Sequence, residues 1–150
     1  MPQSLAKLHV HLVFSTKQRE PLLLQPFRER VHSYLAVVLN NLDSPAKIIG
    51  GTSDHVHILF RMSKNHALAH IVEAIKVSSS KWIKTQNPAL HAFRWQNGYG
   101  GFSVSPSQAD AAVEYIDHQE EHRRVVGFQE EYRRFLQTYG VEFDERYVWD

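Results

Sequence analysis

The sequence of 150 residues contains no cysteine, which excludes disulfides, thiolate zinc sites and cysteine nucleophiles. Lysine and arginine number 17 against 16 aspartates and glutamates, so the whole surface has no broad electrostatic attraction for duplex nucleic acid. No apolar run approaches the roughly 20 residues that span a bilayer. The first residues also lack the order of a secretory signal. We therefore expect a cytoplasmic protein.

The sequence also lacks internal repeats, low-complexity segments and linkers, which predicts a single domain over residues 1–150. Hydrophobic residues make up 43%, enough to form a buried core. Histidine is unusually frequent, with ten copies. The histidines are therefore the first candidates for a functional site.

Hydrophobic periodicity predicts an alternation of strands and helices. Strands are expected at 8–15, 46–50, 55–62 and 102–104, and helices at 26–42, 66–85 and 105 to about 126, with a further short helix ending near 140. The first six elements match a split βαβ order, so the predicted fold class is α+β, ferredoxin-like. We expect an antiparallel sheet with helices on one face, an open second face and a C-terminal helix.

Two histidine pairs have the spacing of a strand. His55 and His57 are two residues apart, so both imidazoles project to one face and can bind one ion. The alternative is a pair of surface histidines without a ligand. His9 and His11 have the same spacing and should share this face if the first and third strands are neighbours. Leu59 stands where a histidine-triad hydrolase would need another histidine, which excludes that class.

The predicted last helix carries a polar stripe opposite its apolar one. Tyr115, Gln119 and His122 recur at helical spacing. A tyrosine beside a metal ligand is a candidate nucleophile, provided that its phenol meets a strongly polarised electrophile. A divalent metal held by His55, His57 and the Gln119 amide would leave coordination positions open for a phosphate oxygen. The alternative for Tyr115 is a surface tyrosine of an amphipathic helix.

Local patches are candidates for nucleic-acid contacts. The polar and basic candidates are Lys17, Arg19, Arg61, Lys76, Ser80, Lys81 and Lys84. The aromatic stretch 93–102, interrupted by glycines, is suited to stacking unpaired bases. The alternatives are a solvated helix face for the basic residues and core packing for the aromatic ones.

Together these residues resemble the single-tyrosine HUH transposases of the insertion-sequence 200/605 type, the IS200-like family, over nearly the whole chain. The matching segments are 9–17 (HVHLVFSTK), 53–59 (SDHVHIL), 75–81 (IKVSSSK), 95–105 (WQNGYGGFSVS), 115–122 (YIDHQEEH) and 128–147. Two positions depart from the family pattern. His118 stands where asparagine is frequent, and Arg123 where a second histidine is common.

The resemblance implies a metal-dependent transposase that cleaves and rejoins single-stranded DNA at insertion-sequence ends, working at the nucleoid. It assigns the nucleophile to Tyr115, which would form a 5′-phosphotyrosine link, and the metal ligands to His55, His57 and Gln119. This ligand set suits Mg²⁺ or Mn²⁺. The implied partners are DNA hairpins and a second copy of the chain, in a homodimer whose active sites are shared between chains. The alternatives are a host-adopted relative that processes chromosomal hairpin repeats, or a non-catalytic single-stranded nucleic-acid-binding module.

Overall fold

A computed structural model describes residues 2–119 and 127–150. Four strands form one antiparallel sheet in the order β2–β3–β1–β4. The strands are β1 (Leu8–Ser15), β2 (Ala46–Gly51), β3 (His55–Met62) and β4 (Gly100–Val104). This order is the ferredoxin-like one, so the predicted fold class and the pairing of the first and third strands are confirmed.

Helices lie on both faces of this sheet. They are α1 (Phe27–Asn41), α2 (Leu68–Gln86), α3 (Ala109–Asp117) and α4 (Phe128–Thr138). Short 3-10 turns cover Lys17–Arg19, Pro88–Leu90 and Pro106–Gln108. None of the helices within 2–119 and 127–150 is long and apolar enough to cross a membrane.

The main core lies between α1, α2 and the first face of the sheet. Alternate residues of the two central strands point into it, because side chains of a strand alternate between faces. The strand residues of this core are Val10, Leu12, Phe14, Val56, Ile58 and Phe60. These are the apolar positions that alternation predicts, and burial of such side chains is the main stabilising contribution to the fold.

The expectation of an open second face is wrong. Ile116 of α3 packs against Leu59 and Val104 of the sheet. The apolar residues Phe128, Tyr132 and Leu136 of α4 pack with Val13 and Phe102 in a second cluster. Both helices have apolar stripes that need a partner, and this face is where they are buried. The histidines on this face are consequently in the interior of the molecule.

The expected helix from 105 to about 126 is wrong at its start and is interrupted at His118. A 3-10 turn at Pro106–Gln108 precedes α3, and α3 ends at Asp117. The next residue, His118, has φ −105° and ψ 28°, outside the helical region. Gln119 is again helical, and residues 120–126 of the expected helix, with His122 and Arg123, lie outside the described residues.

Candidate functional site

His55 is the first residue of β3 and is held by the turn before it. Its Nδ1 lies 2.8 Å from Asp54 Oδ1 and 3.0 Å from Thr52 Oγ1. With Nδ1 facing the carboxylate, Nε2 is left to face the second side of the sheet. A carboxylate behind a histidine in this way fixes the ring orientation and raises its strength as a ligand.

His57 is oriented by a third histidine. Its Nδ1 lies 2.8 Å from His11 Nε2, across the pairing of β1 with β3. The pKa of His11 is lowered to about 3 by burial and by the neighbouring His57. The Nε2 of a neutral His11 can accept a hydrogen bond from His57 Nδ1–H. His57 Nε2 then points away from His11, toward Glu131.

Tyr115 and Gln119 contact the same two histidines, His55 and His57, from the helices that cover this face of the sheet. Gln119 Oε1 lies 3.2 Å from His55 Nε2. The Tyr115 ring lies edge-on to His57, with ring centroids 5.8 Å apart. The structure thus brings together Tyr115, His55, His57 and Gln119, all from one chain.

Glu131 of α4 completes the cluster. Its Oε1 lies 3.1 Å from His57 Nε2, and its carboxylate accepts a hydrogen bond from the Tyr115 hydroxyl. Burial raises the pKa of Tyr115 well above its usual range, and Glu131 adds to that effect. Burial alone would raise the pKa of Glu131, but hydrogen bonds from His57 and Tyr115 hold it below its usual value. Glu131 is therefore an anion at neutral pH.

These donors fit a divalent metal ion. One ligand atom each from His55, His57 and Glu131 lies within 4.8 Å of the other two. Two imidazoles with a carboxylate form a ligand set for Mn²⁺, Fe²⁺ or Zn²⁺, and the Gln119 amide oxygen lies 3.2 Å from His55 Nε2. The residues form a candidate divalent-metal site.

The predicted nucleic-acid residues lie elsewhere. Lys76, Ser80, Lys81 and Lys84 of α2 line a surface groove, which we call the α2 groove, together with Arg94, Asn97 and Tyr99. Lys17 lies next to this groove, because its backbone N–H donates a hydrogen bond to the Arg94 carbonyl oxygen. Arg19 is exposed in the 3-10 turn, and Arg61 is exposed near the end of β3.

Lys76 has a structural role within this groove. Its ammonium donates to the carbonyl oxygens of Gln96, at 2.8 Å, and Gly98, at 2.7 Å. It also lies 5.0 Å from the centre of the Phe14 ring. Burial lowers its pKa to about 8. Lys76 therefore fixes the wall of the groove, while Lys81, Lys84 and Arg94 are the exposed cations.

Sequence reasoning missed Glu131, Arg94 and the role of His11. Glu131 carries a recognisable pattern, because it lies within the apolar stripe of α4, between Phe128 and Phe135 at helical spacing. A lone carboxylate in such a stripe needs a buried partner. Arg94 carries no pattern that separates it from other surface arginines.

This fold and cluster define a ferredoxin-like domain with a buried histidine–tyrosine site. The sequence profile of the family described as Transposase IS200 like matches residues 4–119. The chain belongs to this family of transposases. It has no match among curated proteins.

Two solved structures share the fold. One is a candidate transposase from Deinococcus radiodurans R1, 21% identical, with a TM-score of 0.62, covering 79% of this chain and 98% of that one. The other is a REP-associated tyrosine transposase bound to a REP hairpin, 12% identical, with a TM-score of 0.58, covering 79% of this chain and 70% of that one. These similarities support the α+β sheet architecture described above.

Proposed function

We propose that this transposase cleaves and rejoins single-stranded DNA through a covalent bond between Tyr115 and a 5′-phosphate. The observation that carries the proposal is the convergence of Tyr115 with His55, His57 and Gln119 on one face of the sheet. A nucleophile beside a candidate metal site is an arrangement that supports phosphoryl transfer. A non-catalytic binding module would have no need for it.

The reaction exchanges one phosphoester for another. The Tyr115 oxygen attacks the phosphorus, and the bond from phosphorus to the 3′ oxygen breaks. Glu131, which accepts the hydrogen bond of the Tyr115 hydroxyl, is placed to receive the phenol proton. The leaving 3′ oxygen takes a proton from water. A second 3′ hydroxyl then attacks the phosphotyrosine, so no nucleoside triphosphate is needed.

The phenol of Tyr115 needs assistance at neutral pH, because burial and Glu131 both favour its protonated form. A divalent cation, which we propose to be Mg²⁺ or Mn²⁺, would supply Lewis-acid polarisation of the phosphate. His55 and His57 would hold it, with Gln119 and Glu131 as the nearest oxygen donors. Asp54 and His11 keep the two imidazoles in the orientation that this requires.

We propose a DNA hairpin as the partner. The α2 groove presents Lys81, Lys84 and Arg94 to solvent beside the half-exposed ring of Tyr99. Cations along a groove with an aromatic side chain suit a phosphate backbone and an unpaired base. The hairpin bound by one fold neighbour makes such DNA a reasonable first substrate.

A homodimer that shares its active sites is part of the same proposal. It derives from the family resemblance, since excision requires two strand cleavages and therefore two tyrosines. Within one chain, Tyr115 of α3 already lies against His57, with ring centroids 5.8 Å apart. A shared site would require α3 to make the same contacts with the sheet of a second copy.

A covalent adduct tests the proposed function directly. Wild-type protein mixed with labelled single-stranded hairpin DNA and Mn²⁺ should give a protein–DNA band on a denaturing gel. Tyr115→Phe should bind the DNA normally and give no such band, because it lacks the attacking oxygen. Tyr99→Phe is the matched control, since Tyr99 lies in the α2 groove. An adduct that persists in Tyr115→Phe would contradict the proposal and direct attention to Tyr132 or Tyr99.

A further inference from the structure

Two consecutive residues in the turn after β1 have a backbone conformation that side chains rarely adopt. Gln18 has φ 57° and Arg19 has φ 56°, both in the left-handed region. Residues with a Cβ atom are destabilised there, and glycine is the usual choice. Asp43 also has a positive φ, but aspartate tolerates this region better than glutamine or arginine does. Such strain persists where the surrounding structure imposes it, and it is concentrated at binding and catalytic sites.

This turn, which we call the 17–19 turn, is fixed at both ends. Thr16, directly before it, is 0% exposed, and its backbone N–H donates to the Asp54 carbonyl oxygen at 2.8 Å. After the turn, the N–H of buried Leu23 donates to the Ser53 carbonyl oxygen at 2.8 Å. The turn is therefore anchored to the two residues that precede β3.

The 17–19 turn lies between the histidine site and the α2 groove. Ser15, four residues before Arg19, is paired with His55 in the sheet. Four residues span at most about 14 Å, which is the rise of about four nucleotides in a B-form strand. On the other side, the Lys17 N–H donates to the carbonyl oxygen of Arg94, which lines the groove. A DNA strand that runs from the groove to His55 would pass the turn.

The cations of this region have no counter-charge. Among the described residues, none of Lys17, Arg19 and Arg94 forms an ion pair, and the exposed Arg19 guanidinium has no hydrogen-bond partner. The strained backbone thus carries an arginine that makes no stabilising contact of its own. A phosphate group would supply such a contact, because it pairs with a guanidinium through two parallel hydrogen bonds.

We propose that the 17–19 turn binds a phosphate of the DNA strand, within about four nucleotides of the phosphate that Tyr115 attacks. The inference rests on the proposed function. Arg19 is the main contact and a positioning residue, since it holds the strand without touching the reacting atoms. The anchored turn fixes the backbone that carries the guanidinium before DNA arrives, so less conformational entropy is lost on binding.

Replacement by glycine separates this role from a structural one. Arg19→Gly removes the guanidinium but suits the left-handed backbone, so its Tm should be at least that of the wild type and up to about 4 °C higher. Its affinity for fluorescent oligothymidine, measured by anisotropy with the full chain, should fall roughly three- to fivefold at physiological salt. The slope of log K against log salt should become less steep by about 0.7, the value for one phosphate contact on a single strand. A lower Tm or an unchanged slope would overturn the inference.

Gln18→Gly is the matched control, because it relieves the same kind of strain one residue earlier and keeps the cation. Its Tm should also be at least that of the wild type, with unchanged affinity and slope. Arg19→Lys should recover most of the slope, because lysine keeps the charge. Weakening by Gln18→Gly equal to that by Arg19→Gly would assign the effect to the backbone and overturn the inference.

The covalent adduct assay connects the turn with the active site. With Arg19→Gly, half-maximal adduct formation should need roughly three- to fivefold more hairpin DNA, and the yield at saturation should equal that of the wild type. A yield that stays low at saturation would contradict a positioning role. Absence of the adduct in wild-type protein would refute the proposed function. Normal adduct formation and unchanged oligothymidine binding in Arg19→Gly would overturn this inference alone.

Discussion

Glu131 should contribute strongly to metal affinity, although it comes from a helix outside the segment matched by the family profile. The carboxylate is 8% exposed and belongs to the donor cluster within 4.8 Å. Two unit charges about 4 Å apart interact by roughly 4 kcal/mol at an effective dielectric constant of 20. Desolvation of the ion offsets much of this gain. We therefore expect Glu131→Gln to weaken Mn²⁺ binding by at least about tenfold, or ~1.4 kcal/mol.

Calorimetric titration of the full chain with Mn²⁺ measures this change directly. Glu130→Gln is the matched control, because Glu130 is exposed on the same helix and pairs only with exposed Arg134 at 2.9 Å among the described residues. Such surface pairs contribute little. Gln119→Ala, measured in parallel, compares the two oxygen donors. If Glu131→Gln binds Mn²⁺ like wild type while Gln119→Ala does not, Glu131 is not a ligand and the reasoning from charge fails.

Three further outcomes are expected. Mixing Tyr115→Phe with His57→Ala protein should partly restore cleavage if a homodimer shares its sites, whereas inactive mixtures of exchanged dimers would mean that each chain uses its own α3. Replacing the cations Lys81, Lys84 and Arg94 by alanine should reduce the salt dependence of single-strand binding, lowering the slope of log K against log salt by about 2. The control variant Lys47→Ala, at an exposed position of β2, should leave this slope unchanged. An unchanged slope in the triple variant would remove the α2 groove from the DNA interface. Because the pKa of His32 falls from 6.5 to about 4 on folding, the unfolded chain binds more protons below pH 6.5. Burying the neutral His32 ring therefore costs no stability above pH 6.5. Between pH 6.5 and pH 4, the free energy of unfolding should decline by up to about 3 kcal/mol. Urea unfolding of His32→Leu should show a flatter dependence on pH, and an equal dependence would contradict this reasoning.

The sheet could be predicted from the sequence because its two central strands alternate cleanly. β1 and β3 have the predicted bounds, and the sequence order of elements led to the observed strand order. The covering of the second face could not be predicted in this way. α4 has an apolar stripe of its own, but periodicity does not tell which surface a helix will meet.

The site could be predicted where the spacing of residues along one strand determines the direction of their side chains. His55 and His57 share a face because they are two residues apart on β3. Gln119 reaches His55 even though the helix expected to carry it ends at Asp117. His11 and Glu131 meet His57 only through tertiary packing, across separations of 46 and 74 residues. Pairings at such distances depend on the register of the sheet and the docking of α4, which a single sequence does not encode locally.

The distribution of the site over three elements has a consequence for its chemistry. The sheet supplies the imidazoles of His55 and His57, oriented from behind by Asp54 and His11. α3 supplies the phenol of Tyr115, and α4 supplies the anion Glu131, which accepts the phenol hydrogen bond. Without a cation, this anion next to Tyr115 disfavours the phenolate. A bound divalent cation would reverse that local balance, since its charge exceeds that of a single carboxylate. Nucleophile activation should therefore depend on metal occupancy, and the pKa of Tyr115, followed by ultraviolet difference titration, should fall when Mn²⁺ binds. An unchanged pKa at saturating Mn²⁺ would separate the metal from the activation of Tyr115.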